Sequence, residues 1–365
     1  MAYRLGVQAA LVDNELIAGD VSVQGGLIES IGLAPAGTGG IALPGFIDLQ
    51  VNGFAGVDFI GAEPGDYVVA AEAMAATGVT GFVANFVSSN LEDYGRALAA
   101  AGAAATGLRP RLLGVHMEGP FLSPTWAGAH DRDNLRDPDA GLVDGWMEQG
   151  PVVMMTLAPE LPGAIELIHH LRERGVGVSV GHTDADAATA HAAFDAGAAS
   201  MTHVFNAHRR FSPRDPGPAA VALSRDDVAV MVILDGQHLA PDTEAMVLAA
   251  AGDRVVAVTD AMAAAGLGEG THKLGGRQVE VMGGAVRLPD GTLAGSVLSL
   301  DRALRVLLDR GMPLEASAVA VAHRPARLLG LPGVLAPGMP ADIAVVDDGY
   351  SVSRTIVLGK EVFAG

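Results

Sequence analysis

Glu118, His182 and His203 each close a short apolar run, and together they offer one carboxylate and two imidazoles. With one position left for water, that is the donor set of a catalytic zinc site. Asp260 closes another such run, in the string VTDAM. It is placed to take a proton from an attacking water and return it to a leaving amine. A single histidine of this kind is more often a satisfied core residue, and an aspartate after a strand often caps a helix. Several such endings in one chain argue for chemistry instead. The absence of cysteine excludes disulfides, thiolate ligands and cysteine nucleophiles, and fits a reducing cytoplasm.

The elements that must position these residues are legible as eight Val/Ile-rich runs: 41–50, 80–87, 111–118, 152–159, 175–182, 200–207, 228–236 and 255–262. Between them lie Ala/Leu-rich stretches of helical character such as DYVVAAEAMAATG, GAIELIHHLRERG and DADAATAHAAFDAG, several ending in glycine as helix C-termini do. Strand and helix alternating eight times predict an α/β fold, a TIM-type (β/α)8 barrel, whose active site lies at the C-terminal ends of the strands. Polar residues stand at those ends: Gln50 and Asn52, Asn85, His116 and Glu118, His182, His203 and Asn206, Asp235 and His238, and Asp260. His116 lies two residues before Glu118, on the same face, and is a candidate to support it.

Residues 1–43 and 338–365 read as short alternating strands. Neither is long enough for a core of its own, so both termini are expected to form one small β-sandwich beside a barrel at 44–337. A hairpin insert is expected near 272–292, with Asp290-Gly291 as its turn.

The 365 residues carry 42 acids against 23 bases, a net charge of −19. That field repels nucleic acid and anionic membrane, so neither is an expected partner. An anionic substrate then needs a local cradle of arginine, histidine and backbone N–H groups. No apolar run approaches the ~18 residues of a membrane span. Asp13 and Glu15 interrupt the only place for an export signal, which leaves a cytoplasmic location as the expectation.

The strings PGFIDLQVNG, GVHMEGPFL, TLAPE, GHTDA, MTHVFNA, RDPG, DGQH, VTDAM, LAGS and PGMPADIAVVD, in that order along nearly the whole chain, resemble the N-acetylglucosamine-6-phosphate deacetylases of the amidohydrolase superfamily. The resemblance implies metal ligands Glu118, His182 and His203, and Asp260 as acid/base. It implies that Ala129 and His130 of the GAH string meet the substrate, and that Asn206 and Ala207 face its phosphate. Arg214 of RDPG would supply the counter-charge. Asp235, Gly236, Gln237 and His238 of DGQH would contact the sugar phosphate, and Leu293, Ala294 and Gly295 would line the acetyl pocket. A homodimer is implied as well, with some phosphate ligands from the neighbouring subunit.

Superfamily members that hold two metals use His-x-His on the first strand, where this chain has Gln50-x-Asn52, and a lysine after the fourth, where it has none. One divalent ion per subunit follows, Zn²⁺ by default, with Fe²⁺, Co²⁺ or Mn²⁺ also suited to the donors. The chain departs from the family at His208, where Asn-Ala is usually followed by methionine, and Arg209 and Arg210 follow. These basic residues would strengthen phosphate binding or mark a shifted substrate preference, and His208 would otherwise be an ordinary loop residue. Rival readings are N-acetylgalactosamine-6-phosphate deacetylase, a D-amino acid deacylase, which the phosphate-type residues Asn206 and Arg214 disfavour, and a non-catalytic barrel, which the retained ligand set disfavours.

Overall fold

β-Branched side chains pack well on a pleated sheet, and strands buried on both faces read as continuous apolar runs. In the computed structural model, which describes residues 2–365, the runs form eight parallel strands. They are β1 (Phe46–Val51), β2 (Val79–Val87), β3 (Arg111–Glu118), β4 (Val152–Leu157), β5 (Gly177–Val180), β6 (Ser200–Met201), β7 (Ala229–Val232) and β8 (Val255–Ala257). Each pairs with the next in sequence. The ring closes between β8 and β1 through a parallel bridge between Val51 and Ala261, where the Asn52 N–H donates to the Ala261 carbonyl at 2.7 Å. The expected TIM-type barrel is what the chain forms.

Helices fill the crossovers where the caps demand. Asn90 accepts from the Asp93 N–H at the start of Leu91–Ala104, and Asp186 from the Thr189 N–H at the start of Ala187–Ala196. The latter helix ends on Gly197 at φ 116°, the left-handed cap that glycine provides.

Arg254 is buried with no carboxylate partner among the described residues and spends its guanidinium on carbonyls of Ala222, Leu223, Val228 and Ala250, at 2.8–3.0 Å. It thereby gathers the ends of the helices Gly217–Ser224 and Pro241–Ala251 under β7 and β8. Arg254→Ala should lower stability by about 2–4 kcal/mol, since hydrogen bonds from a charged donor are the stronger kind. A urea midpoint that does not move would show that water replaces the guanidinium without loss.

The run at 41–50 divides. Ile41–Pro44 joins a six-stranded sheet with Ala9–Val12, Glu15–Ala18, Ile343–Val346, Val352–Val357 and Lys360–Ala364, and only Phe46–Val51 enters the barrel. Gly45 makes the transfer; a Cβ there would lie 2.2 Å from the Thr80 hydroxyl. A three-stranded sheet of Tyr3–Arg4, Asp20–Gln24 and Leu27–Leu33 accompanies it. The two share a core that includes Val7, Val21, Ile28, Ile343 and Ile356. Met1 of the 1–43 segment lies outside the described residues.

The hairpin expected near 272–292 is part of a longer meander: Gly270–Leu274, Arg277–Met282, Ala285–Arg287 and Leu293–Ser296, antiparallel in that order. Three turns rather than one account for its glycine pairs at 275–276 and 283–284, besides Asp290-Gly291. It has its own small core around Val279, Val281 and Val286, and Leu274 and Leu293 reach the mouth of the barrel. Among the described residues no helix is long and apolar enough to cross a membrane.

Candidate active site

Three strand ends meet at the barrel mouth. Glu118 ends β3, His182 follows β5, and His203 follows the two-residue β6. Glu118 Oε1 lies 3.1 Å from His182 Nε2 and 3.0 Å from His203 Nε2, and the two ring nitrogens are 3.2 Å apart. His182 Nδ1 donates to the Trp126 carbonyl at 2.9 Å, which leaves its Nε2 as a bare lone pair. Asn85 donates to the other Glu118 oxygen at 2.6 Å. Burial alone would raise the Glu118 carboxyl, but contact with the two imidazoles holds it well below the usual carboxylate range. His203 is pushed above its ordinary value, against its burial, by Glu118 and Asp260.

Three donor atoms held 3.0–3.2 Å apart must share either a proton or a cation. Their spacing approaches the ~3.3 Å edge of a tetrahedron with metal–ligand distances of about 2.0–2.1 Å. The donors therefore fit a divalent ion. His130 also brings a nitrogen within 4.8 Å of Glu118 and His182, but its chemistry differs. Its Nδ1 accepts from the Ser88 N–H at 3.0 Å, and burial lowers its pKa to about 3. The neutral ring must carry its proton on Nε2, 4.0 Å from Glu118 Oε1. It is an N–H donor facing the cavity.

Asp260 stands opposite. Asn52 and Gln50 both donate to its Oδ1, at 2.7 and 3.2 Å, leaving Oδ2 for other work. Burial, then the charge of Glu118, raises it to about 6. The backbone is left-handed at His182 (φ 49°), His203 (φ 25°) and Asp260 (φ 51°), which costs non-glycine residues about 1–3 kcal/mol each and clusters where function requires it. These turns end β5, β6 and β8 earlier than their apolar runs suggest, and they aim the three side chains inward.

The cavity between these groups holds about 230 Å³. That is below the ~300–1,000 Å³ of sites for drug-sized ligands and suits a single sugar ring rather than a chain. Ala129, His130, Asn206, Ala207, His238, Leu293 and Gly295 line it with Glu118, His182, His203 and Asp260. Five of the expected contacts do not. Ala294 is buried behind its neighbours, in the core of the meander. Gly236 and Gln237 form the turn that delivers His238. Asp235 points back onto His238 Nδ1 at 2.7 Å and accepts the Gln237 and His238 N–H groups. It orients His238 and does not face the cavity.

Arg214 is exposed and does not line the cavity of its own chain. Its loop is pinned by Arg209, which binds Asp215 at 2.7 Å and the Asp184 carbonyl at 3.1 Å, so Arg209 is not a free phosphate cation either. Arg210 is exposed. His208 is buried against His203, ring centroids 5.7 Å apart, with Nε2 donating to the Thr202 carbonyl. Burial, then the neighbouring His203, holds it well below its usual pKa, so it adds no charge for a phosphate. His116, burial-lowered to about 4, bonds the Leu49 carbonyl and Thr156, not Glu118.

The sequence gives no sign of Trp126, whose carbonyl fixes the His182 tautomer, or of Ser88, whose N–H fixes that of His130. Backbone groups do both jobs, and any residue supplies them. Asn52 and Asn85 carried a signal, their place at strand ends, but their task is to hold carboxylates.

The amidohydrolase family model matches residues 41–362. The N-acetylglucosamine-6-phosphate deacetylase of Bacillus subtilis is 32% identical over 97% of this chain and 96% of its own length. The human enzyme of that name is 38% identical over 89% and 84%. The N-acetylgalactosamine-6-phosphate deacetylase of Escherichia coli O157:H7 is 35% identical over 87% and 86%. Among solved structures, a variant of the Mycobacterium smegmatis N-acetyl-D-glucosamine-6-phosphate deacetylase in complex with N-acetyl-D-glucosamine-6-phosphate superposes with a TM-score of 0.94 at 33% identity, covering both chains fully. With the family model, the relatives and the barrel in agreement, the chain belongs to the amidohydrolase family, among its N-acetylglucosamine-6-phosphate deacetylases.

Proposed function

We propose that the protein hydrolyses N-acetyl-D-glucosamine 6-phosphate to D-glucosamine 6-phosphate and acetate, as a metal-dependent amidohydrolase. The observation that carries this reading is the convergence of Glu118, His182 and His203 on one point, faced by Asp260 and by the His130 N–H. One divalent ion, Zn²⁺ in our reading, would be held by those three donors, where it would supply Lewis acidity to the water and the acetamide carbonyl. Asp260 Oδ2 accepts the proton of the attacking water, its partner oxygen held by Asn52 and Gln50. His130 Nε2–H donates to the carbonyl oxygen as negative charge grows there. Asp260 then passes its proton to the sugar nitrogen, and acetate leaves. Asn206, Ala207 and His238 take the sugar phosphate, whose binding orients the ring.

The test is acetate release from N-acetylglucosamine with and without the 6-phosphate. Comparable rates on the two would remove the phosphate from the reading. The galactosamine epimer belongs in the same assay, because a relative named for it matches at 35% identity.

Arg214 is proposed to serve the partner's cavity in a homodimer, since it is exposed and does not line its own. Lost charge-assisted contact costs about 1.5–3 kcal/mol. Arg214→Ala should therefore lower kcat/KM on the phosphorylated sugar by roughly one to two decades and leave the unphosphorylated sugar unchanged. Mixing Arg214→Ala with Asp260→Asn subunits should restore activity, because each mixed dimer contains one site with both groups. No recovery on mixing would place Arg214 in cis. We place the protein in the cytoplasm, in keeping with its lack of cysteine.

A further inference from the structure

β1 presents Asp48, Gln50 and Asn52 at alternate positions, hence on one face. Gln50 and Asn52 hold Asp260 itself, while Asp48 holds the residue before it. One Asp48 oxygen accepts the Thr259 hydroxyl at 2.6 Å, and the other faces the N–H groups of Gln50 and Thr259 at 3.2 and 3.3 Å. The Thr259 hydroxyl oxygen accepts in turn from the Ala261 N–H at 3.0 Å. Asp48 and Thr259 thus bracket Asp260 on both sides along the chain. Ser296 adds two bonds, its hydroxyl to the Thr259 carbonyl at 2.6 Å and its N–H to the Asp260 carbonyl at 2.8 Å. Between these clamps Asp260 keeps φ 51°, a backbone state that persists in such a residue only where the surroundings impose it.

Asp48 is 2% exposed and makes no ion pair among the described residues. Burial pushes its carboxyl up to about 7. An acid buried without a cation weakens the fold relative to a packed apolar side chain, so its presence calls for a geometric task. The deacetylase reading does not use it.

We propose that Asp48 is a positioning residue: through Thr259 it fixes the backbone that aims the Asp260 carboxylate into the cavity, without touching substrate. The proposal rests on Asp260 being the acid/base, and its test separates the two. In the metal-loaded protein, Thr259→Val should lower kcat by about 10–100-fold, the scale of a misplaced catalytic group. KM and metal content should stay as in the wild type. Thr259→Ser, which keeps the hydroxyl, should remain within about twofold. Asp48→Ala, which also frees the Gln50 and Thr259 N–H groups, should lose at least as much as Thr259→Val, and the double variant should be no worse than Asp48→Ala, because the bond between the two side chains is already cut. Asp48→Asn should retain most activity, its amide oxygen still accepting the two N–H groups. An isotope-edited NMR titration of the Asp260 carboxyl, assigned with Asp260→Asn, gives a readout independent of turnover. Its midpoint should move in Thr259→Val and stay in Thr259→Ser.

Equal kcat in Thr259→Val and wild type, equal loss in the valine and serine variants, or an Asp260 midpoint unmoved in Thr259→Val would each overturn the proposal. If Asp48→Ala does not fold, the Thr259 pair still decides. If the wild type releases no acetate, the reaction reading falls, and the titration alone judges the clamp.

Discussion

Asp260→Asn should reduce turnover by about 10²–10⁴-fold, the usual contribution of a positioned acid or base. One ion per subunit and near-normal substrate affinity should remain. The amide preserves the shape, and its oxygen can still accept from Asn52 and Gln50, which hold Oδ1 in the wild type. What is lost is the capacity of the second oxygen to take a proton. Burial and the nearby Glu118 charge raise the Asp260 carboxyl to about 6, so it both accepts and returns a proton readily near neutral pH. Rapid-quench kinetics with elemental analysis and a direct binding measurement would check each part. Near-normal turnover would move the acid/base role elsewhere, and His130, whose ring also lines the cavity, would be tested next.

Glu118→Gln should abolish tight metal binding and activity together. Asn85 donates to Oε2 while Oε1 faces His182 and His203, so the glutamine amide has no good orientation. Either its NH₂ meets the Asn85 NH₂, or it faces the point where a cation is needed. The charge is lost in both. Affinity should fall by more than the ~10–100-fold that follows loss of an outer hydrogen-bond partner. Calorimetric titration of chelator-treated protein should give one equivalent for the wild type and weak or no uptake for the variant, with the circular dichroism spectra unchanged. A wild type that needs two equivalents for activity would end the single-ion reading, and full uptake by Glu118→Gln would move the centre away from β3.

Both results concern residues that the sequence marks by position. A strand buried on both faces must be apolar along its length, so a glutamate or histidine at its end stands out, and the barrel and the three converging donors are legible for the same reason. Ile41–Pro44 and Phe46–Val51 escape separation because a sandwich core and a barrel core select the same residues; only Gly45 between them differs. The insert reads as a hairpin because one Asp-Gly turn is conspicuous, whereas its two Gly-Gly turns resemble ordinary loop. Arg214 carries the family motif, yet a motif fixes chemistry and not which subunit's cavity receives it. Asp48 shares the alternation of Gln50 and Asn52, yet nothing in the sequence singles it out, because its partner Thr259 lies 211 residues away. Which apolar-run carboxylate meets which hydroxyl is decided by barrel closure.

The strand Ile41–Pro44 sits between a parallel neighbour, Ala9–Val12, and an antiparallel one, Ile343–Val346. From Pro44 to Ile343 is 343 − 44 = 299 residues. On a ribosome adding ~5–20 residues per second, the first neighbour is present from the outset and the second arrives ~15–60 s later. Throughout that interval an apolar strand edge stands open beside a growing barrel, the situation in which nascent chains pair wrongly with one another. The protein's yield in a cell should therefore depend on what shields residues 41–44 during synthesis, and slowing translation near the C-terminus should lower it more than slowing the same number of codons near the start.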